Sequence, residues 1–490
     1  MGKPVNSNGI ENGLGDPKAY REAIALVAVA ALAAVLAGCR PEDSDPPVPD
    51  PRPNIVIILV DDLGWNDVGY HGSEIRTPFI DRLAREGVRL SRFYGTPICT
   101  STRAGLMTGR SPMRYGLIYA VIQLWTNYGL PLDEHILPES FRAAGYATAM
   151  VGKWQLGHDH VRQLPFNRGF DHYYGMVHGP IDYFTHVVGF GPTVTGAVDW
   201  QRNGRTVYED GYATDLLARE AVRLIETRDR GRPLLLYLAF NAAHSPLQAP
   251  QNLIDSYAEI ADERRRIFAA MVESMDAGIG SVLMALEREG ISDNTLILFF
   301  SDNGSHQTWG RTEPLRGGKG TVFEGGIRVP AIVHWPAGLE GGREVSHAFS
   351  NLDVFPTLAA AAGVPPRNEK PFDGRNVWPQ IQGGDALPAR DLFFAVEQSD
   401  DFWFAVLHGE WKLVRIESKR NDQAKNHLFQ IEEDVSEAND VSAAHPAIVT
   451  GLMQRLIEWR RLHPSTGIRR NIKPHPGWVP PEDWASGVRQ

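Results

Sequence analysis

Apolar residues in this chain come in two textures that alternate along its length. Asn54–Val60 reads Asn-Ile-Val-Ile-Ile-Leu-Val, a continuous β-branched run of the kind buried on both faces of a parallel sheet. Thr148–Val151, Pro233–Phe240 and Thr295–Phe300 are further strand-like runs. Between them, Thr77–Glu86 and Leu137–Ala144 read as helices, Asp215–Thr227 is strongly amphipathic, and Arg264–Glu289 is long. Strand alternating with helix predicts an α/β fold with a large, mainly parallel sheet sandwiched by helices.

Each of the four runs ends in polar residues. Asp61-Asp62-Leu63-Gly64 follows the first and Gly152-Lys153-Trp154-Gln155 the second. Asn241-Ala242-Ala243-His244 follows the third and Ser301-Asp302-Asn303-Gly304 the fourth. Ligands of open α/β sheets bind outside the carboxyl ends of the strands. Asp61, Asp62, Lys153, His244, Asp302 and Asn303 are therefore predicted to share one edge. Two adjacent carboxylates there are costly unless a cation or hydrogen-bond donors meet them.

Further on, Leu315–Gly326 is glycine-rich and carries Arg316 and Lys319, but its spacing matches no P-loop. Taken alone it reads as a flexible surface loop. Ile327–His334 is predicted as a strand, and a helix begins at Asn351. After the polar stretch Asp385–Arg390 the texture changes to short strands at Trp403–Leu407, Trp411–Ile416 and His427–Ile431, then a helix at Ala447–Leu462. A small antiparallel sheet with a helix packed on it is expected, placing domains at 53–385 and 386–490.

Composition narrows the partners. The 490 residues carry a formal net charge of −10, which argues against nucleic acid. An anionic substrate would need a local basic pocket. Only two cysteines occur, Cys39 and Cys99, so no disulfide framework is implied. Ala23–Ala37 is apolar, follows Lys18 and Arg21, and is short for a membrane span, as in a signal peptide. The alternative is an ordinary amphipathic or membrane-inserted helix. Leu36-Ala37-Gly38-Cys39 resembles the bacterial lipoprotein box, and an acidic, proline-rich stretch follows. Residues 1–38 are expected to be a signal peptide and 39–52 a tether lipidated at Cys39. That makes an exported, membrane-anchored lipoprotein of the periplasm or cell surface.

Cys99 stands in Pro97-Ile98-Cys99-Thr100-Ser101-Thr102-Arg103. The hydroxyl-rich step can cap a helix, and Arg103 falls in that helix's first turn. A helix N-terminus and a nearby guanidinium both favour a thiolate, making Cys99 a candidate nucleophile; the alternative is a buried structural cysteine.

The run Cys99–Arg103, continued by Ala104-Gly105-Leu106-Met107-Thr108-Gly109-Arg110, resembles the signature of the formylglycine-dependent type I sulfatases. Similarity extends from Asn54 to Leu428-Phe429. It takes in Asp61-Asp62-Leu63-Gly64, Gly152-Lys153-Trp154, Asp302-Asn303-Gly304, Leu315–Lys319 and Glu324-Gly325-Gly326. Tyr237-Leu238-Ala239, His244–Pro250 and Asp373–Trp378 look closest to arylsulfatase B, the N-acetylgalactosamine-4-sulfatase.

The resemblance implies an alkaline-phosphatase-like fold and hydrolysis of a sulfate ester on a sulfated carbohydrate or aryl sulfate. A formylglycine-generating enzyme would convert Cys99 to formylglycine, whose hydrated aldehyde attacks sulfur. Asp61, Asp62, Asp302, Asn303 and the residue derived from Cys99 would hold a divalent cation, calcium or else magnesium, and the oxygen-rich set suits a hard ion. Arg103 would fix the nucleophile, and Lys153, Lys319 and His244 would grip the sulfate. His244 or Lys319 would protonate the leaving alcohol. Two positions depart from the family pattern. Ser101 stands where Pro or Ala is most frequent. Gln155 replaces a histidine thought to accept the proton that lets sulfate leave, and glutamine does not titrate. His158 and His160 are nearby substitutes. The alternatives are a phosphodiesterase or phosphonate monoester hydrolase on the same scaffold, and a sulfated-glycan binder with little turnover.

Overall fold

Ile55 to Val60 have no exposed surface, because their strand lies inside a ten-stranded sheet in a computed structural model. Residues 50–189, 196–367 and 369–468 are described, with a few isolated positions besides. The expected signal peptide, Cys39 and the tether up to Pro49 lie outside the described residues, apart from a few scattered positions.

In chain order the strands of the large sheet and its surroundings are β1 (Asn54–Val60), β2 (Val88–Leu90), β3 (Phe93–Tyr94), β4 (Ala147–Gly152), β5 (His172–Gly175), β6 (Gln201–Arg202), β7 (Arg205–Thr206), β8 (Leu234–Ala239), β9 (Thr295–Ser301), β10 (Ala331–His334) and β11 (Arg343–Val345). The spatial order is β11-β2-β10-β9-β1-β8-β4-β5-β6-β7. The strands β9, β1, β8, β4 and β5 run parallel, while β10 is antiparallel to both its neighbours and β6 and β7 close the far edge as an antiparallel ribbon.

Successive side chains of β1 serve opposite layers. Val56, Ile58 and Val60 join a core with the helices Pro78–Glu86, Ala213–Glu226 and Glu263–Arg288. Ile55, Ile57 and Leu59 join a second core with the helices Cys99–Thr108, Leu137–Ala143 and Val354–Ala361. Both faces are covered, which is why the run shows no polar alternation. Each such side chain contributes about 1.5–3 kcal/mol of burial. The Pro78–Glu86 helix is capped from outside itself: the Phe79 and Ile80 N–H groups donate to Asp276 at 3.1 and 2.8 Å.

Where a strand was expected at Ile327–His334, Glu324–Ile327 is a helical turn and β10 begins only at Ala331. Pro330, which has no N–H to give a ladder, stands between them. The C-terminal antiparallel sheet has a fourth strand that the sequence reading misses. After the two-residue β12 (Phe349–Ser350) it comprises β13 (Asp391–Glu397), β14 (Asp401–His408), β15 (Trp411–Ser418) and β16 (Ala424–Gln430), in that order. In β13, Leu392, Phe394 and Val396 face a core shared with Val322, Phe323 and Ile327, while Phe393 and Ala395 pack toward the Pro446–Arg460 helix.

Candidate active site

The four central parallel strands β9, β1, β8 and β4 are neighbours, so their carboxyl ends form one continuous edge. Beyond β1, Ala243 donates to the Asp61 carbonyl at 2.7 Å and Asp61 N–H to the Ala242 carbonyl at 3.0 Å. Consecutive residues of an extended chain point to opposite faces. Asp62 breaks that alternation with φ 60, in the left-handed region. At the last residue of β4, Gly152 has φ 111, and a Cβ there would lie 1.9 Å from the Ala239 carbonyl oxygen. Only glycine lets β4 and β8 close up and turn Lys153 inward.

All the side chains anticipated from the strand ends meet at this edge. The Lys153 ammonium donates to Asp61 Oδ2, with both side chains fully buried. Arg103 reaches Asp302 Oδ2 through Nε at 3.1 Å and Nη2 at 2.8 Å, Asp61 Oδ2 at 3.3 Å and the Lys153 carbonyl at 3.0 Å. Lys319 Nζ lies 2.6 Å from Asp62 Oδ1, and Asn303 Nδ2 donates to the same carboxylate at 2.7 Å. His244 places Nε2 at 4.0 Å from Asp62 Oδ2. Its Nδ1 donates to the Ser245 carbonyl at 2.6 Å, so the neutral ring presents the Nε2 lone pair to the site. One ligand atom each from Asp61, Cys99 and Asp302 lies within 4.8 Å of the others, as does a set from Asp61, Asp62 and His244.

Burial opposes charge on Asp61, Asp302, His244 and Lys319, and the neighbouring charges decide at which of them it prevails. For Asp61, burial is outweighed by Lys153, His244, Arg103 and Lys319, which hold the carboxyl well below the ordinary range. Asp302 is pushed up to about 6 by burial and by Asp61, against Arg103 and Lys153. Burial and the Lys319 charge bring His244 down to about 4, against the pull of Asp62 and Asp61. Lys319 stays firmly protonated because Asp62 overrides its burial.

Cys99 corrects two expectations. It is the first residue of its helix, the N-cap is Ile98, and no side chain caps that end. The hydroxyls act elsewhere: Ser101 donates to the Leu117 carbonyl at 2.7 Å, Thr100 accepts from Ile122 N–H at 3.1 Å, and Thr102 donates to the Asp302 carbonyl at 2.6 Å. Ser101, the first departure from the family pattern, is thus a packing residue tied to the segment behind the helix. The thiol is not driven toward its anion either. Cys99 is 1% exposed, and burial pushes the thiol up despite Lys153 and Lys319.

Gln155 is buried in the left-handed region at φ 54. Its N–H donates to the Val177 carbonyl at 3.0 Å. Gly179 lies directly against it: a Cβ at Gly179 would stand 2.8 Å from Gln155 Nε2 and 3.2 Å from Lys153 Nζ. His158 is engaged by the Leu124 carbonyl at 3.1 Å and by the His178 ring, 4.1 Å between centroids. His160 Nδ1 accepts from Arg162 N–H at 3.0 Å and caps a helical turn. Tyr183, which no sequence pattern singles out, bridges the Asn241 and His244 carbonyls at 2.7 and 2.8 Å and steadies the histidine loop.

The donor set fits a hard divalent cation. Asp61 Oδ1 and Asn303 Oδ1 are buried oxygens without a hydrogen-bond partner, where buried polar atoms are almost always paired. Asp61 shares one cluster with Asp62 and His244 and another with Cys99 and Asp302, an oxygen-rich setting of the kind calcium or magnesium takes.

The sulfatase family model matches residues 53–364. Arylsulfatase J of Mus musculus is 34% identical over 454 residues, 84% of this chain and 76% of that protein. N-acetylgalactosamine-6-sulfatase of Homo sapiens is 34% identical over 368 residues, 70% of this chain and 68% of its own. Among solved structures, Ps i-CgsB in complex with k-i-k-neocarrahexaose is 33% identical with a TM-score of 0.77, covering 88% of this chain and 95% of its own. With these matches laid over the strand-end geometry, the chain belongs to the sulfatase family of sulfuric ester hydrolases.

Proposed function

We propose that this protein is a formylglycine-dependent sulfatase that removes sulfate from a sulfated carbohydrate, with aryl sulfates as small surrogates. The observation that carries the reading is the gathering of Arg103, Lys153, His244 and Lys319 with Asp61, Asp62, Asp302 and Asn303 around Cys99. Calcium or magnesium held by Asp61, Asp62, Asp302 and Asn303 would polarise a sulfate oxygen. Cys99, once converted to formylglycine, would supply the attacking oxygen.

The remaining roles belong to this chain's own side chains. Lys153 and Lys319 balance the charge of the sulfate, and Arg103 locks the carboxylates that face it. His244 presents Nε2 toward the space beside Asp62. An anionic sulfate ester next to that ring raises its affinity for a proton, which it or Lys319 then gives to the departing alcohol. Gln155 can hydrogen-bond where a base would otherwise stand but cannot take its proton, and so favours a second reading in which alcohol departs readily but sulfate leaves slowly.

Glycan substrates are supported by the N-acetylgalactosamine-6-sulfatase and neocarrahexaose-bound relatives, and the likeness to arylsulfatase B around His244–Pro250 points the same way. Export and anchoring through Cys39 go with a polymeric substrate outside the cell, and residues 386–490 complete the enzyme as its C-terminal subdomain. Mass spectrometry of the Cys99 peptide from an active preparation, beside desulfation assays on defined sulfated oligosaccharides, tests the reading. An unmodified thiol alongside full activity would overturn it.

A further inference from the structure

The loop that carries Lys319 is held at both ends by one residue of the C-terminal region. Arg316 Nη1 donates to the Glu437 carbonyl at 2.9 Å, and Glu324 N–H donates to Glu437 Oε2 at 2.6 Å. Gly325 N–H closes the loop onto the Arg316 carbonyl at 2.8 Å. Glu437 is fixed in turn by Lys412 of β15, whose ammonium lies 2.9 Å from its Oε1 and 2.8 Å from Glu324 Oε1. Tyr94 donates to the other Glu324 oxygen at 3.0 Å, and Arg316 stacks on Phe323 at 4.0 Å. Glu324, Lys412 and Glu437 have no exposed surface. Glu437 also holds φ 51, a conformation a non-glycine residue adopts at some cost.

A buried lysine shared by two carboxylates is an expensive way to stabilise a fold, since apolar residues of similar shape often do as well. Here its geometry does something an apolar cluster would not: it sets the two ends of the span from Arg316 to Glu324, whose middle must deliver one ammonium to Asp62. We propose that Glu437, anchored by Lys412, is a positioning residue that fixes Lys319 against the sulfate. This rests on the role given to Lys319 above.

A double-mutant cycle on the full chain tests it, with 4-nitrophenyl sulfate as substrate and inorganic sulfate as inhibitor. Misplacing a gripping group by about 1 Å costs about 10²-fold, so Glu437→Ala should lower kcat/KM by about that factor and weaken sulfate inhibition as Lys319→Ala does. Combined with Lys319→Ala, it should add less than about threefold, because residues acting through one another are not additive. Glu437→Gln keeps an oxygen for Glu324 N–H but turns its amide NH2 toward the Lys412 ammonium, so it should recover only part of the activity. If Glu437→Ala does not fold, Arg316→Met releases the other end of the loop and enters the same cycle. Additive losses, or unchanged sulfate inhibition in a folded variant, would overturn the positioning role. A Lys319→Ala enzyme with full activity would instead overturn the reading of Lys319, and the purpose of the clamp with it.

Discussion

Arg103 and Asp302, 199 residues apart, are joined by two hydrogen bonds from one guanidinium to a single carboxylate oxygen. The pair is wholly buried. Oδ2 is committed to Arg103, while Oδ1 accepts only a long 3.4 Å contact from Asp62 N–H and stays available to a cation. Arg103→Met would strand Asp61 and Asp302 without their guanidinium, costing about 3–5 kcal/mol of stability along with activity. Arg103→Lys keeps the charge but not the fork, so it should recover stability before turnover. Denaturant midpoints and turnover on one set of variants decide this, and a Met variant with an unchanged midpoint would count against it.

Cation removal should act on stability as well as rate. Asp61, Asp62 and Asp302 crowd three carboxylates into one buried spot, and a ligand bound only to the folded state stabilises it by mass action. Exhaustive chelation should lower the melting temperature and the activity together, and added calcium or magnesium should restore both. Asp302→Asn should blunt the metal-dependent shift. Melting curves that ignore chelator would remove the cation from the site.

Gln155 should limit the second half of the reaction. A positioned general base contributes about 10²–10⁴-fold, and the carboxamide cannot take a proton. Rapid mixing should show a burst of alcohol equal to enzyme, then a slow steady rate that Gln155→His raises. No burst, with a steady rate unmoved or lowered by the substitution, would show that another group already accepts the proton.

Much of this site is legible in the sequence because apolar strands leave a clear trace and their ends fall at one edge. Asp61, Lys153, His244 and Asp302 could each be placed from the point at which an apolar run stops. What the sequence conceals is set by tertiary contact. The cap on the Pro78–Glu86 helix comes from Asp276, nearly two hundred residues away, rather than from Thr77 beside it. The state of the Cys99 thiol follows from burial, which a motif does not report. The strand β13 has no polar alternation because cores lie on both of its faces.

Asp276 gives the chain a pH dependence outside the catalytic edge. Burial pushes its carboxyl up to about 7, against the two backbone donors and with help from Asp81 and Glu273. A raised carboxyl stabilises the fold fully below its ordinary value and loses that contribution as pH rises through the raised one. Wild type should therefore lose stability relative to Asp276→Asn as pH climbs from the ordinary carboxylate range to about 7, and level off above it. Urea titrations of the two proteins across that window measure it. A difference that does not vary with pH would refute the assignment.

The depth of Cys99 has a consequence in time. Its side chain is sealed by the helix it begins and by strands that come late in the chain, for β9 must pair with β1 before Asp302 meets Arg103. At roughly 5–20 residues per second, the ribosome needs roughly 10–40 s to cover the stretch between them. During that interval the Cys99 segment exists without the walls that later enclose it. An enzyme that remodelled Cys99, as the proposed function requires, would have its opportunity then, in a race between chemistry and strand pairing.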